Sequence, residues 1–328
     1  MGLGSVACMQ NRRVGTTGLE VSELALGTMT WSRDTNADEA GEQLDLFLDA
    51  GGSLIDTAAS YADGGAETLL GSMLGESVAR TDVQIATKAG IRRTPQGGVI
   101  DSSRDSLLDT LDASLERLGT DHVDLFLVHV FDPQTPLDET LHALEIAVNS
   151  GRARYVGVSN FPAWAMAAMA SKATGRPALA ATQMEYSLLQ RGIEREVVPA
   201  AEALGLGILA WSPLGRGVLT GKYRGAIPAD SRAASDHLAG FVEPYLTDRA
   251  GVMVDAVCTA AEGLGVSPLE VAIGWVLAQQ HIASAVVGAR TAAQLSATLA
   301  AADSELPPAI VTALTEVTEP HASYPERR

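Results

Sequence analysis

Short apolar runs alternate along the chain with stretches of helical periodicity. Eight runs have the length and β-branched content of strands: LALGT (24–28), SLIDTA (53–58), VQIATKA (83–89), VDLFLVHV (123–130), RYVGVSN (154–160), AATQMEY (180–186), LGILAWS (206–212) and IASAVVGA (282–289). Between them lie predicted helices such as 105–119, whose apolar stripe is Leu107, Leu108, Leu111, Leu115 and Leu118. The pattern predicts a strand followed by a helix, repeated along the chain.

The runs are continuously apolar, which indicates strands covered on both faces, as in a parallel sheet. Eight such units in 328 residues predict one α/β domain over 1–328, a closed (β/α)8 TIM barrel. A doubly wound sheet is the rival fold, and a dinucleotide fingerprint should then follow its first strand. The near match GLGSVA at 2–7 has no strand before it. The sequence therefore favours the barrel.

Three segments fall outside the eight units. NRRVGTTGLEVS (11–22) has extended residues around a Gly/Thr turn and predicts a hairpin that closes the bottom of the barrel. The segment 267–280 predicts an extra helix, capped by Ser267 with Pro268 at its first position. Residues 213–247 are rich in Gly, Pro, Ser and Arg, and connections of such length are usually functional.

Composition and charge narrow the class of function. Apolar residues make up 46% of the chain, and 40 acidic against 23 basic side chains give a formal charge of −17. Such a charge repels nucleic-acid phosphates and anionic membrane surfaces. No uninterrupted apolar run in the sequence approaches the ~18 residues of a spanning helix. We therefore expect a small-molecule partner, and neither nucleic acid nor membrane.

Cysteine usage and the N-terminus bear on the compartment. Cys8 and Cys258 are too few for a disulfide framework and lack metal-ligand spacing, although a single bridge between them stays open. The segment MGLGSVACMQ lacks a positive region, and Val6 stands where myristoylation needs Ser or Thr. We expect a cytoplasmic protein without a metal site.

Titratable residues stand at the ends of three predicted strands. Asp56 and Tyr61 follow the second strand, Lys88 ends the third and His129 ends the fourth. Each alone has an ordinary structural explanation, such as a turn cap, a snorkelling lysine or a core histidine. Active sites of (β/α)8 barrels, however, lie at the carboxyl ends of the strands. Together the four residues predict a catalytic site.

The chemistry of these residues converges on carbonyl reduction. A carbonyl that accepts hydride needs a proton donor near its oxygen, and a tyrosine with a free pKa of about 10 is a poor acid until a cation stabilises its phenolate. Lys88 can supply that cation, and Asp56 can keep a buried ammonium charged. The sequence thus predicts a buried Asp56–Lys88 pair beside Tyr61.

Seven segments carry a resemblance: IDTAASY, ATKAG, LFLVH, GVSNF, QMEYSLL, AWSPLGRGVLTGKY and VVGARTAAQL. In this order they resemble the aldo-keto reductase superfamily over nearly the whole chain. The resemblance implies an NAD(P)H-dependent carbonyl reductase with a catalytic tetrad of Asp56, Tyr61, Lys88 and His129. Tyr61 is then the proton donor, and His129 orients the substrate carbonyl.

The resemblance also implies a cofactor site at the same strand ends. Its nicotinamide part comprises Thr28, Met29, Asp56, Ser159, Asn160, Gln183 and Trp211. Ser159, Asn160 and Gln183 would hold the carboxamide, Thr28 and Met29 would lie near the ribose, and Trp211 would stack on the ring. Without this context, core packing would be the simpler explanation of a large aromatic residue.

A glycine-rich segment after the seventh strand can hold a pyrophosphate, because its backbone amides can approach the phosphates closely. Its residues are Ser212, Pro213, Leu214, Gly215, Arg216, Gly217 and Lys222. Arg216 and Lys222 would add positive charge. Farther on, GAIPADSRAA resembles the loop that folds over the cofactor in the long-loop branch, which includes the potassium-channel β subunits, and Arg232 is the matching basic residue.

The adenosine end of the family's site is matched by Gly288, Arg290 and Gln294. Ala297 and Thr298 stand where the family usually carries Glu and Asn, so adenine contacts are weakened or differently made. Arg232 and Arg290 could meet a 2′-phosphate, since guanidinium pairs well with phosphate oxygens. The sequence favours NADPH, with NADH as the alternative.

The substrate stays open within the class of small carbonyl compounds. Aromatic and sulfur side chains that could line the pocket mouth, or simply pack, are Met29, Trp31, Phe131, Phe161 and Trp164. Val130 stands where some branches place a substrate-contacting Trp, which suggests a different or wider pocket. Candidates run from aldehydes and ketones to keto-sugars, including nucleotide-linked ones. The alternative function is a cofactor-occupied binding or redox-sensor protein with slow turnover, and the oligomeric state is open.

Overall fold

Eight parallel strands close into a barrel. The structure is a computed structural model that describes residues 9–75, 77–94, 97–173, 179–229, 231–235, 237–302 and 305–320. Its strands, numbered along the chain, are β1 (Asn11–Arg13), β2 (Glu20–Ser22), β3 (Leu24–Gly27), β4 (Leu54–Asp56), β5 (Gln84–Ala89), β6 (Ile91–Thr94), β7 (Gly97–Ile100), β8 (Val123–Val128), β9 (Ala153–Ser159), β10 (Leu179–Glu185), β11 (Gly207–Trp211) and β12 (Ile282–Val287). The barrel runs β3-β4-β5-β8-β9-β10-β11-β12 and closes where β12 pairs with β3.

All eight predicted strands lie in this barrel, and the predicted (β/α)8 fold class is confirmed. Their ends shift by no more than a few residues, since SLIDTA at 53–58 becomes Leu54–Asp56. Every residue of β3 and of β12 is buried. Continuous hydrophobicity therefore marked strands that are covered on both faces.

Helices follow the strands and surround the barrel. They are α1 (Ala37–Asp49), α2 (Gly65–Met73), α3 (Arg104–Leu118), α4 (Leu137–Asn149), α5 (Ala163–Lys172), α6 (Val197–Leu204), α7 (Ala239–Val242), α8 (Asp248–Leu264), α9 (Pro268–Leu277), α10 (Ala292–Ala302) and α11 (Pro308–Val317). The helix predicted at 105–119 is α3, whose apolar stripe faces the core. α10 packs against both α1 and α9, so the ring of helices closes where the barrel does.

The helix predicted as an addition at 267–280 belongs to the ring instead, so that placement was wrong. It is α9, which packs against β12 and α10 because its residues from Val271 to Val276 are all buried. Its predicted start is confirmed, since the Ser267 side chain accepts from the Glu270 amide and Pro268 occupies the first position. Besides the short α7, the extra helices are α8, which packs on α9, and α11, which packs on α8.

Two apolar layers follow from the alternation of side chains along the strands. In β3, Leu24 and Leu26 pack outward against the helices, whereas Ala25 belongs to the barrel interior. The interior layer also contains Leu54, Ala86, Leu125, Leu127, Ala181, Leu209, Ala283 and Val286. The barrel is thus a filled core, and a binding cleft can lie only above it.

The predicted N-terminal hairpin consists of β1 and β2 and closes the bottom of the barrel. The two strands pair antiparallel, and Val14, Leu19 and Val21 complete the interior layer. The turn passes so close to the start of β11 that a Cβ on Gly207 would lie 2.6 Å from the backbone nitrogen of Gly15. Only glycine fits such an approach.

Two features at the other end of the barrel add to the predicted order. β6 and β7 form an antiparallel hairpin directly after β5, which the sequence did not suggest. The long connection 213–247 contains α7 and three short 3-10 turns at Gly215–Thr220, Arg232–Ala234 and Glu243–Tyr245. Both features border the carboxyl ends of the barrel strands.

No single helix in the described part of the chain is long and apolar enough to span a membrane. α8 and α9 pass that test only together, and they are bent by 101° at their junction. Among the same described residues, no group of three or more His, Cys, Asp and Glu side chains is placed to hold a metal ion. Cys258 is buried and free, whereas Cys8 and the segment 2–7 lie outside the described residues.

Candidate active site

A cleft of about 600 Å³ opens at the carboxyl ends of the barrel strands, a volume typical of small-molecule and cofactor sites. Residues chosen from the sequence that line it are Met29, Asp56, Tyr61, His129, Ser159, Asn160, Gln183, Trp211, Ser212, Pro213, Leu214, Arg216, Gly217, Lys222, Arg232, Gly288, Arg290 and Gln294. They come from distant parts of the chain. The barrel brings them together because all of them end or follow strands that point the same way.

Asp56 and Lys88 form a buried ion pair at the floor of the cleft. Lys88 Nζ donates to Asp56 Oδ2 at 2.7 Å and to the backbone oxygen of Thr57 at 2.8 Å. The second carboxylate oxygen, Oδ1, accepts from Gln183 Nε2 at 2.7 Å. The two charged side chains are only 0% and 3% exposed. Both charges are therefore partnered, as burial requires.

Lys88 keeps its charge in this position. Burial alone would lower the pKa of Lys88, but the adjacent Asp56 carboxylate and Tyr61 raise it, and the resulting pKa lies above its ordinary value. The ammonium lies 5.1 Å from the centre of the Tyr61 ring. A permanent cation thus stands beside the phenol.

Tyr61 is a protonated phenol at neutral pH. Burial raises its pKa above the ordinary value, and the Lys88 charge opposes that rise without reversing it. The sequence reasoning considered only the cation, which would lower the pKa; the structure adds desolvation, which is the stronger effect. A proton donor needs its proton before the reaction, so this direction suits the role.

His129 meets Tyr61 edge to face, with 5.9 Å between ring centres. Burial and the positive charge of Lys88 lower the pKa of His129 to about 3. Its backbone is held on both sides, because its nitrogen donates to Ala89 and its oxygen accepts from the Asn160 amide at 3.0 Å. The imidazole is therefore neutral and fixed near the phenol.

The turn that carries Tyr61 is strained, and the helix that follows it is held by a second buried acid. Ala62 and Asp63 have φ of +48° and +55°, a left-handed conformation that non-glycine residues seldom adopt. Glu67, fully buried in α2, accepts from the Thr87 hydroxyl and from Arg117. Sequence reasoning missed Glu67, although its place on the buried face of a helix was a signal.

Asn160 is the centre of a hydrogen-bond network on the far wall. Its amide nitrogen donates to the His129 backbone and to the Ser159 hydroxyl, and its oxygen accepts from Trp211 Nε1, each at 3.0 Å. The residue has a left-handed φ of +55°. The amide predicted to hold a cofactor carboxamide thus already has three protein partners, and its main contribution is to hold Ser159 and Trp211.

Arg216, which the sequence predicts at the pyrophosphate, lines the cleft and is paired within the protein. Its guanidinium pairs with both carboxylate oxygens of Glu185, at 2.7 and 2.8 Å, and donates to the Phe241 backbone oxygen. It also lies 4.0 Å from the Phe241 ring centre and 4.9 Å from that of Tyr245. The charge is neutralised within the protein, so Arg216 anchors the long connection rather than offering a free cation to phosphate.

The other end of the cleft is basic. Arg232 is desolvated and lies near the like-charged Arg290, and both effects lower its pKa, burial more strongly. Lys222 is exposed, near the glycine-rich turn. The Gln294 side chain accepts from the Arg290 amide at 3.1 Å. Ala297 and Thr298, the two departures from the family pattern, also line this end.

Several predicted residues do not line the cleft. Thr28 is fully buried and donates its hydroxyl to the Asp56 backbone, and Gly215 is buried against Leu189, so both support the cleft from behind. Trp31 is wholly buried and donates to Gln43 at 3.1 Å, which makes it a core residue.

Of the proposed substrate aromatics, none belongs to the cleft lining described above. Phe161 is buried, and Phe131 packs between Phe161 and Trp164 at ring-centre distances of 5.4 and 5.5 Å. Trp164 is 63% exposed. Met29 alone of the predicted mouth residues lines the cleft. The aromatic cluster is therefore an outer feature beside the mouth.

Residues that the sequence did not single out complete the lining. Ile91 comes from the unpredicted hairpin, and Phe241 comes from the long connection, where its ring lies nearly parallel to Trp211 at 6.4 Å. An aromatic residue in an otherwise polar loop was the available signal for Phe241. No signal in the sequence marked Ile91, because only the fold turns its strand toward the cleft.

Known proteins match the chain over the segments that carry this cleft. A family model described as the Aldo/keto reductase family matches residues 23–319. The "Uncharacterized oxidoreductase YrpG" of Bacillus subtilis (strain 168) is 35% identical, with 94% of this chain and 96% of that protein covered.

Two further relatives have names that state a function. A "Probable voltage-gated potassium channel subunit beta" of Oryza sativa subsp. japonica is 34% identical, covering 90% of this chain and 92% of that protein. An "L-glyceraldehyde 3-phosphate reductase" of Escherichia coli (strain K12) is 34% identical, covering 88% and 86%.

Proposed function

Since the chain belongs to the aldo/keto reductase family of oxidoreductases, we propose that it reduces an aldehyde or ketone to an alcohol with NADPH. The observation that carries this proposal is the environment of Tyr61. A partly buried phenol lies beside a permanently charged Lys88 and a neutral His129, at the floor of a cleft of about 600 Å³. This is the arrangement that a developing alkoxide needs.

Tyr61 would supply the proton. As the carbonyl carbon of the substrate accepts a hydride, its oxygen gains negative charge and takes the Tyr61 proton, so one C–H bond and one O–H bond form. The phenolate that remains is stabilised by Lys88, whose ammonium stays charged because Asp56 lies 2.7 Å away. Proton transfer of this kind typically accelerates a reaction by about 10²–10⁴-fold.

His129 would orient the substrate. With a pKa of about 3 its ring is neutral at physiological pH, so one ring nitrogen carries a proton and can donate to the carbonyl oxygen. A neutral donor adds no charge next to Lys88. The carbonyl would then lie between two donors, Tyr61 and His129.

The basic end of the cleft fits a phosphorylated cofactor. Arg232 lines the cleft, and in the described part of the chain it has no carboxylate within ion-pair distance. A guanidinium without such a partner suits an anion with several oxygens. Both arginines could meet the 2′-phosphate of NADPH, which NADH lacks.

The remaining cleft residues divide along its length. Ser159 and Gln183 would hold the nicotinamide carboxamide, Trp211 would stack on the ring, and the backbone at 214–217 would face the pyrophosphate. A reduced nicotinamide, when bound, supplies the hydride. The parallel rings of Trp211 and Phe241 suit a flat group between or beside them.

Steady-state oxidation of NADPH tests the proposal. Purified protein would be mixed with NADPH or NADH and a panel of aldehydes, ketones and keto-sugars, including a phosphorylated aldehyde because one relative's name specifies such a substrate. We expect turnover with at least one carbonyl and preference for NADPH. Tight NADPH binding without turnover on any panel member would contradict it.

That contrary outcome would support the second candidate, a cofactor-occupied binding or redox-sensor protein. The observation in its favour is the 34% identity to a protein named as a probable potassium channel subunit beta. The paired Asp56 and Lys88 beside Tyr61 favour chemistry instead, because a sensor has no need of a poised proton donor.

A further inference from the structure

Gln183 joins opposite walls of the barrel. It lies in β10, and its Nε2 is 2.7 Å from Oδ1 of Asp56 at the end of β4. Three strands separate β10 from β4 in either direction around the barrel. The hydrogen bond therefore crosses the whole mouth of the barrel, directly beneath the cleft.

The chemistry of Asp56 fixes the orientation of this amide. Asp56 is ionised, since its other oxygen accepts from Lys88 at 2.7 Å. A carboxylate has no hydrogen to donate, so Gln183 must present its NH₂ group to Oδ1 and its carbonyl oxygen elsewhere. The amide donor of Gln183 is thus committed to Asp56, and only its oxygen is left for a ligand.

We propose that Gln183 is a positioning residue for the proton donor. It holds the Asp56 carboxylate from the opposite wall, and Asp56 in turn keeps Lys88 beside Tyr61. The kinetic part of this inference rests on the proposed carbonyl reduction, whereas the hydrogen bond itself does not.

The geometry explains why a second partner is needed. A carboxylate held by Lys88 alone can turn about its own axis and weaken its bond to the ammonium, which then keeps only the Thr57 backbone oxygen as a full partner. Gln183 is 3% exposed, so water is poorly placed to replace its donor. Its backbone oxygen accepts from the backbone nitrogen of Asn160 at 3.0 Å, which anchors the strand on the far wall.

Gln183→Glu is the sharpest variant, because a glutamic acid can replace the amide donor only while it is protonated. We expect kcat at saturating NADPH to be retained best at acidic pH and to fall through a new ionisation as the pH rises. Gln183→Leu should be slow at every pH, by roughly ten- to hundredfold, because it removes a hydrogen bond to a charged group.

The new ionisation can be assigned to Glu at position 183 because the neighbouring groups titrate elsewhere. The groups that face this site are Asp56, Lys88, Tyr61 and His129. Lys88 and Tyr61 have pKa values raised above their ordinary basic ones, and the pKa of His129 is about 3. Asp56 pairs with the Lys88 ammonium at 2.7 Å, and wild type contains the same pair. A step between about pH 5 and 8 therefore reports the introduced carboxyl group.

Gln43→Leu is the matched control. Gln43 is also fully buried, and its side chain accepts from Trp31 at 3.1 Å, outside the cleft. This variant should lose stability while its pH profile keeps the shape of the wild type. A Gln183→Glu profile parallel to wild type would overturn the positioning role.

A second measurement uses the cofactor-free protein and does not depend on the proposed function. Next to Asp56, the carboxyl group of Gln183→Glu should have a raised pKa in the folded state, so the folded state binds more protons than the unfolded one. Relative to wild type, the unfolding constant should rise by up to about tenfold per pH unit above roughly pH 4.3. Denaturant titrations across pH would measure it.

Asp56→Asn in the same chain should abolish that dependence, because the introduced carboxylate then has an amide donor and no anionic neighbour. If wild type reduced no carbonyl, this comparison would still decide: a pH dependence that disappears in the double variant supports the Gln183–Asp56 contact. Identical pH dependence in the single and double variants would overturn it.

Discussion

The two ends of the cleft handle positive charge in opposite ways. At the floor, Lys88 is buried and neutralised by Asp56 at 2.7 Å. At the basic end, Arg232 is also desolvated, but among the described residues it has no carboxylate at that range, and the nearby Arg290 has the same sign. A charge neutralised by an ion pair stays at a fixed point of the fold, whereas a half-buried cation without an ion-pair partner is suited to an anion from outside.

Arg216 shows that a position in a glycine-rich loop does not determine whether a cation is neutralised within the protein or open to a ligand. It belongs to the predicted phosphate segment, yet Glu185 and three aromatic rings surround its guanidinium. Its neighbours, not its loop, define its role. Four sets of variants test which groups are held within the fold and which are open to a ligand.

The largest effect should come from Lys88→Met. It leaves Asp56 as a buried carboxylate without its cation, which typically costs about 3–5 kcal/mol of unfolding free energy, and it removes the charge that would stabilise the Tyr61 phenolate. Denaturant unfolding measures the loss. Lys172→Met is the control, because its ion pair with Asp138 is also 2.7 Å but exposed, and should contribute about 1 kcal/mol or less. Equal losses in the two variants would contradict the assignment of Lys88 to a buried pair.

Tyr61→Phe should abolish most of the proposed activity and leave cofactor binding at the basic end nearly unchanged. Without the proton donor, carbonyl reduction should fall by about 10²–10⁴-fold, with NADPH affinity nearly unchanged. Steady-state kinetics and fluorescence titration measure the two quantities. Tyr186→Phe, which removes another partly buried hydroxyl bonded to Glu194, controls for loss of stability. Activity within a few fold of wild type in Tyr61→Phe would remove Tyr61 from the mechanism.

Arg232→Ala combined with Arg290→Ala should act only at the basic end. If both meet the 2′-phosphate, NADPH should lose charge-assisted hydrogen bonds worth roughly 1.5–3 kcal/mol each, and NADH should bind as before. Titration of both cofactors measures the selectivity. Arg224→Ala, an exposed arginine of the same connection paired with Asp255 at 2.8 Å, should change neither. Equal losses for NADPH and NADH would assign the two arginines to the pyrophosphate or the fold instead.

The effect that is smallest at neutral pH is the acid sensitivity from His129. Its folded pKa of about 3 lies below the ordinary 6.5, so between those values the unfolded chain binds a proton that the native protein does not. Its contribution to stability is present above pH 6.5 and is lost as the pH falls, by up to about 1.4 kcal/mol per unit. As the pH falls, the unfolding free energy of wild type should decrease with that slope relative to that of His129→Asn. The two values should therefore converge or cross. A constant difference would mean that His129 titrates normally in the native protein.

Strand-borne features were predictable because they depend on local pattern. Eight apolar runs were sufficient to place eight strands, and a residue at the end of such a run, such as Lys88 or Asp56, had to lie at the carboxyl face of the barrel. Loop-borne features were not: the hairpin that contains Ile91 pairs neighbouring segments without an apolar run to mark them, and the contact between Phe241 and Arg216 joins residues 25 apart in the chain.

The amino-acid pattern was sufficient to predict the barrel, the hairpin beneath it, the capped start of α9 and the set of strand ends that meet in the cleft. Periodicity and capping act over a few residues, so they can be read from neighbours in the chain. Which charges have a partner within the protein depends on long-range packing. Arg216 pairs with Glu185, Arg232 lies beside Arg290, and Gln183 contacts Asp56 from the opposite wall. Protonation states follow the same rule, because the desolvation that keeps Tyr61 protonated and His129 neutral exists only once the barrel has closed around them.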